Sequence, residues 1–180
     1  MIIGLTGTNK TKTADIIRAA FRGEVQVIGF SDPMREMLGC LGIPADQVES
    51  DREFKGLHKS PHDMLKTLGT EWGTETIHRD LWINHAMDRV DPECLTIIRD
   101  VRTEHEAAAI IGKGGIVIRV SGAKIPKFWD IVLGTHKTEL PLHRGFVAAT
   151  IQNSDDVAAL RREVLNCSRL WNYLAAIGGL

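Results

Sequence analysis

Ile2-Ile3-Gly4-Leu5-Thr6-Gly7-Thr8-Asn9-Lys10-Thr11-Lys12-Thr13-Ala14 decides how the rest of the chain is read. Ile2, Ile3, Leu5 and Thr6 form a short apolar, β-prone run, and Ile16, Ile17, Ala20 and Phe21 then recur at helical spacing over Ala14 to Phe21. Strand, polar loop, helix is the context of a phosphate-binding loop. There, backbone N–H groups and a helix N-terminus converge on an anion, a lysine neutralises the outer phosphates and a Ser/Thr hydroxyl holds magnesium. The G-x-x-x-x-G-K-[ST] spacing is not met. Counting from Gly7 puts Lys12 at the second glycine and Thr13 at the lysine. Counting back from Lys12-Thr13 leaves the loop one residue short, with Thr11 in place of the second glycine. A β-branched Thr tolerates positive φ poorly. From these residues alone, a phosphate loop and an ordinary strand-to-helix turn with Thr11 or Thr13 as N-cap stand level.

The 180 residues are 43% hydrophobic and 25% charged, enough for one globular domain with an ordinary core. The 22 basic and 23 acidic residues nearly cancel, which argues against a nucleic-acid polymer or an anionic membrane as partner. Cys40, Cys94 and Cys167 are odd in number and far apart, as expected of free thiols in a reducing, cytoplasmic compartment. The N-terminus shows no export pattern, and no apolar run is long enough to span a bilayer.

Strand and helix signals alternate onward. Val25 to Phe30 reads as a strand ending at Ser31-Asp32-Pro33, with Asp32 as N-cap of a helix through Met34, Met37 and Leu38. Pro61 opens a helix carrying Met64, Leu65, Leu68 and Trp72, and another begins near Asp80; together they predict a helical insertion over about residues 44–90. Leu95 to Ile98 is a buried-type strand ending at Asp100. Thr103 to Ile111 is helical, Ile116 to Val120 a strand, Phe146 to Ile151 a last strand, and Val157 to Leu170 one long helix. The pattern predicts a single α/β domain: a mostly parallel central sheet, helices on both faces, ligands at the strands' carboxyl ends. Those ends carry Gly7 to Thr13, Ser31-Asp32, Arg99 to Arg102 and the segment after Val120.

Several blocks, in order, resemble phage deoxynucleoside monophosphate kinases. They are Gly4-Leu5-Thr6-Gly7, Phe30-Ser31-Asp32-Pro33, Asp51 to Lys55, Lys59-Ser60-Pro61, Leu68-Gly69-Thr70-Glu71-Trp72-Gly73, Asp80-Leu81-Trp82, Asp100-Val101-Arg102 with Glu106-Ala107, and Thr138-Glu139 near Leu142. The resemblance covers nearly the whole chain. It implies a P-loop nucleoside monophosphate kinase fold and transfer of the ATP γ-phosphoryl group to a deoxynucleoside 5′-monophosphate, with magnesium, in a host cell's cytoplasm; a homodimer is allowed. On that resemblance Gly7, Thr8, Asn9, Lys10, Thr11, Lys12 and Thr13 contact ATP phosphates. Thr13 and Asp100 face the metal; Asp32, Arg35, Lys59, Trp72 and Arg102 bind the acceptor; Lys12, Asp32 and Arg102 are catalytic. About residues 122–138, with Lys124 and Lys127, take the place of the lid.

The departures from the family pattern fall in ligand-facing segments: the loop spacing, Thr74 in place of Arg, Lys66 in place of Gln and His105 in place of Asn. They leave open a second reading, a catalytically weak or inactive kinase-fold protein that binds nucleotide or a protein partner. Other conspicuous residues read as structure. His58 and His62 are separated by Pro61, which starts a helix between them, so they do not share a face for zinc; Gly112 to Gly115 lies between a helix and a strand, the wrong order for a phosphate loop.

Overall fold

The computed structural model describes residues 1–122, 142–153 and 156–176. In chain order its elements are β1 (Ile2–Gly7), α1 (Lys10–Ala20), β2 (Val25–Ile28), α2 (Asp32–Cys40), a 3-10 turn (Ala45–Gln47), α3 (Pro61–Thr67), a π-helix (Leu68–Ile77) and α4 (Leu81–Asp88). There follow β3 (Leu95–Ile98), α5 (Glu104–Gly112), β4 (Ile116–Ser121), a 3-10 turn (Arg144–Phe146), β5 (Ala149–Gln152), α6 (Val157–Asn166) and α7 (Ser168–Ala176). The chain divides into two compact units, Met1–Ile28 with Val90–Leu180, and Gly29–Arg89. The expected lid over about residues 122–138, with Trp129, and the Thr138-Glu139 block lie outside the described residues apart from Gly122.

The first unit is α/β. Its five strands are all parallel, in the order β2-β3-β1-β4-β5, so β1 is central. Because side chains alternate across a strand, β1 divides its residues between two layers. Ile3 and Leu5 join Ala14 and Ile17 of α1, Leu160 and Val164 of α6 and Leu170 and Leu174 of α7 in one core. Gly4, on the opposite face, meets α5: a Cβ there would lie 2.7 Å from Ile110 Cδ1. Helices therefore cover both faces, and each fully buried Ile or Leu contributes about 2 kcal/mol through the apolar area it removes from water. Parallel strands buried on both faces need no polar alternation, which is why Leu-Thr-Ile-Ile of β3 is buried throughout.

Boundaries differ from the sequence expectation in three places here, each for a physical reason. The helix after β1 starts at Lys10 rather than Ala14, with Asn9 and not Thr11 or Thr13 at the N-cap. Its first turn is polar and carries no apolar stripe to mark it. The last strand is Ala149–Gln152, and Arg144–Phe146 form a 3-10 turn whose Gly145 N–H is accepted by His143 Nδ1 at 3.1 Å. The long terminal helix breaks at Cys167, and the Val164 carbonyl accepts both the Cys167 N–H at 3.2 Å and Trp171 Nε1–H at 2.9 Å. At the sheet's other end Tyr173 fastens β1: its hydroxyl accepts the Ile2 N–H at 3.3 Å and lies 3.2 and 3.1 Å from the Ile2 and Gly114 carbonyl oxygens. Burial raises the Tyr173 pKa above 10.0.

The second unit is helical and takes in α2 as well as the expected insertion. Its core joins Met34 and Leu38 of α2 to Ile43, Val48 and Leu65. Ser31, not Asp32, is the N-cap of α2; the Asp32 carboxylate instead accepts the Gly29 N–H at 2.7 Å. Ser60 caps α3 by accepting the Asp63 N–H at 3.1 Å. The π-helix is an unusually long one, and side chains support its widened turns: the Thr74 hydroxyl donates to Gly69 O at 2.8 Å and the Thr76 hydroxyl to Glu71 O at 2.7 Å, both five residues back. Trp82 of α4 donates to Gly69 O at 2.8 Å, and its indole lies so close over Gly73 that a Cβ there would collide with the ring. Among the described residues no helix is long and apolar enough to cross a membrane.

Gly7 combines a φ of 95° with a position where a Cβ would run into the Val120 carbonyl. Gly7→Ala is expected to cost about 2–4 kcal/mol or to prevent folding. Gly39 of α2 has nothing within 4 Å, so Gly39→Ala is expected to stabilise by about 0.5–1 kcal/mol. Urea denaturation of both variants checks the pair.

Candidate functional site

The carboxyl edge of the five-stranded sheet gathers the first unit's candidate residues. β1 ends at Gly7, and only Thr8 and Asn9 separate it from α1. The turn is pressed onto β4: the Thr8 N–H donates to Val120 O at 2.9 Å and its hydroxyl to the same oxygen at 3.3 Å. Asn9 takes the left-handed conformation, φ 47° and ψ 30°, which Asn tolerates better than most residues. Asn153, 8% exposed just past β5, bridges both turn residues. Its Oδ1 accepts from Asn9 Nδ2 at 3.0 Å and its Nδ2 donates to Thr8 Oγ1 at 3.3 Å.

The first α-helical bond of α1 runs from the Thr13 N–H to Asn9 O at 3.0 Å. The amides of Lys10, Thr11 and Lys12 thus precede the i→i−4 ladder and sit where a helix presents its positive dipole end. The N-cap Asn9 makes no side-chain capping bond, and the first turn holds no acidic residue but two lysines, Lys10 and Lys12. Each lysine there is unfavourable by about 0.3–1 kcal/mol, a strain that an anion would relieve. Thr11 and Lys12 are exposed and Lys10 partly so.

Thr13 is placed differently from expectation. Starting the helix at Lys10 puts Thr13 one turn before Ile17, on the inward face, where it is 0% exposed. Its hydroxyl is buried and finds no hydrogen-bond partner.

Beside β1, the end of β3 carries the second group. Asp100 is 8% exposed, and the Val101 N–H donates to Leu5 O at 3.1 Å, holding the loop against β1. Arg102 is partly buried and its backbone is fixed by Glu106. One Glu106 oxygen, Oε2, accepts the Arg102 N–H at 2.6 Å and the Thr103 N–H at 2.9 Å, while the Thr103 hydroxyl accepts the Glu106 N–H at 3.2 Å. This capping box starts α5. Burial raises the Glu106 pKa above 4.5, opposed by the two backbone bonds and reinforced by Asp100.

The second unit holds the other candidates. Asp32 engages the turn before α2, and Arg35 donates from Nε to Ser31 Oγ at 3.3 Å and pairs with Glu49. Lys59 is exposed, its Nζ 3.3 Å from Thr67 Oγ1. Trp72, on the π-helix, is 41% exposed, its ring centroid 6.1 Å from that of Trp82. His62 pairs with Asp51 at 2.7 Å, and His58 is exposed. Among the described residues no three His, Cys, Asp or Glu side chains cluster as a metal site.

The sequence reading named the loop and the Asp100 to Arg102 end but gave no role to Asn153 or Glu106. The polar pair Gln152-Asn153 directly after Ile151, at a parallel strand's carboxyl end, was the available signal for Asn153, and Thr103-x-x-Glu106 before an apolar run was the signal for the capping box.

Two expectations follow. Thr13→Val removes an unsatisfied buried hydroxyl at nearly constant shape, so it should stabilise by about 1 kcal/mol, a rise of about 2–4 °C in Tm by calorimetry. For Glu106 the folded pKa lies above its ordinary value, so the proton is held more tightly in the folded state. Its contribution is present below pH 4.5 and is lost as pH rises through the folded value. Glu106→Gln should therefore gain in stability relative to wild type between about pH 4 and about pH 7, read from urea midpoints at both ends.

No protein-family model matches the chain, and no curated protein sequence does. Among solved structures it is similar to a dephospho-CoA kinase from Campylobacter jejuni, with 12% identity over 91% of this chain and 92% of that chain and a TM-score of 0.44. A likeness of that order carries no argument about function.

Proposed function

We propose that this protein is a P-loop-type deoxynucleoside monophosphate kinase that transfers the γ-phosphoryl group of ATP to a deoxynucleoside 5′-monophosphate, in the service of phage DNA synthesis in a host cytoplasm. The observation that carries the proposal is the uncapped N-terminus of α1, bearing Lys10 and Lys12 and no acid, at the carboxyl end of the central strand beside Asp100 and Arg102. Phosphoryl transfer needs positioned charge more than covalent chemistry. The α1 amides and Lys12 would hold the outer phosphates of ATP. Arg102 would meet the acceptor phosphate, whose oxygen attacks the γ-phosphorus in line. Asp32, Arg35, Lys59 and Trp72 would bind the acceptor; Arg35 can exchange its half-exposed partner Glu49 for a phosphate at little cost, since such pairs are worth under ~1 kcal/mol. Magnesium in such sites is held by substrate phosphates and one or two carboxylates. Thr13, whose buried hydroxyl has no hydrogen-bond partner, and Asp100 at the end of β3 would be its protein ligands.

A second reading, nucleotide binding without turnover, is favoured by the shortness of the turn. Two residues replace the longer glycine loop, and the Thr8 amide that could face a phosphate is engaged by Val120 O. A coupled assay of all deoxynucleoside monophosphates with ATP and magnesium separates the two. The kinase reading expects turnover of at least one acceptor, loss of ATP affinity in Lys12→Ala, and in Arg102→Ala a rise in acceptor KM or fall in kcat of about 10- to 100-fold with ATP binding nearly intact. ATP binding without turnover of any acceptor would establish the second reading.

A further inference from the structure

The turn between β1 and α1 depends on a residue far from it in sequence. Asn9 is the hinge of that turn, and its left-handed backbone carries a steric cost for any residue with a Cβ. Nothing within α1 offsets this, because the Asn9 side chain makes no capping bond. Instead, its amide donates to Asn153 Oδ1 at 3.0 Å, and Asn153 Nδ2 donates to Thr8 Oγ1 at 3.3 Å. The Thr8 hydroxyl completes the chain of donors at Val120 O. Asn153 is itself fixed, its N–H donating to Ser121 O at 2.7 Å. One buried amide group thus ties the turn residues to the ends of β4 and β5. Removing one partner of such a buried bridge leaves the other unsatisfied and desolvated. The energy of the bridge acts on the backbone angles that aim the α1 amides.

We propose that Asn153 is the positioning residue of the nucleotide-phosphate site: it holds Thr8 and Asn9 in the turn that directs the first amides of α1 at the anion. The inference rests on the reading of that edge as an ATP site. Asn153 acts through the turn and touches no phosphate.

The test is ATP binding to the full chain by isothermal titration calorimetry, with and without magnesium, beside circular dichroism and thermal midpoints. Asn153→Ala should weaken ATP about tenfold or more while remaining folded. Adding Asn9→Gly to that variant should recover much of the loss, because glycine adopts the left-handed turn without help. A purely structural role for Asn153 would not produce that recovery. Should Asn153→Ala not fold, Thr8→Val breaks one arm of the bridge without touching the buried position and should give a smaller loss in the same direction. Wild-type affinity in folded Asn153→Ala, or in Thr8→Val, overturns the inference alone. An Asn153→Ala defect that Asn9→Gly leaves unchanged overturns it in favour of direct contact. Wild-type protein that binds no ATP overturns both the inference and the site on which it rests.

Discussion

The close approach of Gly7 to the carbonyl of Val120 governs the functional edge of this protein. β1 is the central strand, paired on both sides and covered on both faces, so its end has no freedom to drift. The pairing with β4 continues past the strand through the Thr8 N–H, which leaves a single further residue, Asn9, to turn the chain into α1. Everything at that edge follows from this compression. The helix begins early, its polar first turn stands at the strand end, and the phase of the helix carries Thr13 inward beside Ala14 and Ile17.

In the second unit a different local constraint rules. A π-helix has poorer backbone geometry than an α-helix and persists only where neighbours favour it. Here two threonine hydroxyls bond back five residues, and the Trp82 indole both donates to Gly69 O and occupies the space above Gly73. The widened backbone and the tryptophan are mutually dependent, and together they fix the region that bears Trp72. That arrangement requires glycine at position 73, while a Cβ at Gly69 would press on Met34 Sδ instead.

The strands were legible because burial on both faces leaves runs such as Leu95 to Ile98 and Ile116 to Val120 that helices of that length rarely show. The all-parallel sheet followed from their alternation with helical stripes. The start of α1 was hidden because Lys10, Thr11 and Lys12 are polar and carry no apolar period, and the break at Cys167 because apolar spacing runs on through it. The compact unit beginning at Gly29 could not be seen in a chain without a linker. At the site, residue types at strand ends pointed to Gly7 to Thr13 and to Asp100 with Arg102. The burial of Thr13 and the bridging by Asn153 depend on turn length and on pairs distant in sequence, which no local pattern encodes, whereas the Glu106 grip on Arg102 is local and belongs to the Thr103-x-x-Glu106 capping box.

Tyr173 gives the fold a temporal consequence. The central strand is synthesised well before its partners β3 and β4, and the hydroxyl that fastens Ile2 to Gly114 arrives only with the last helix described. Until β3 and β4 emerge Ile3 and Leu5 have no strand neighbours, and until α6 and α7 follow they lack the faces that bury them. Assembly dominated by such distant contacts is slow and leaves apolar strand edges open to other chains in the interval. The emerging chain therefore carries its greatest risk of misassociation at the very strand on which its finished architecture is centred.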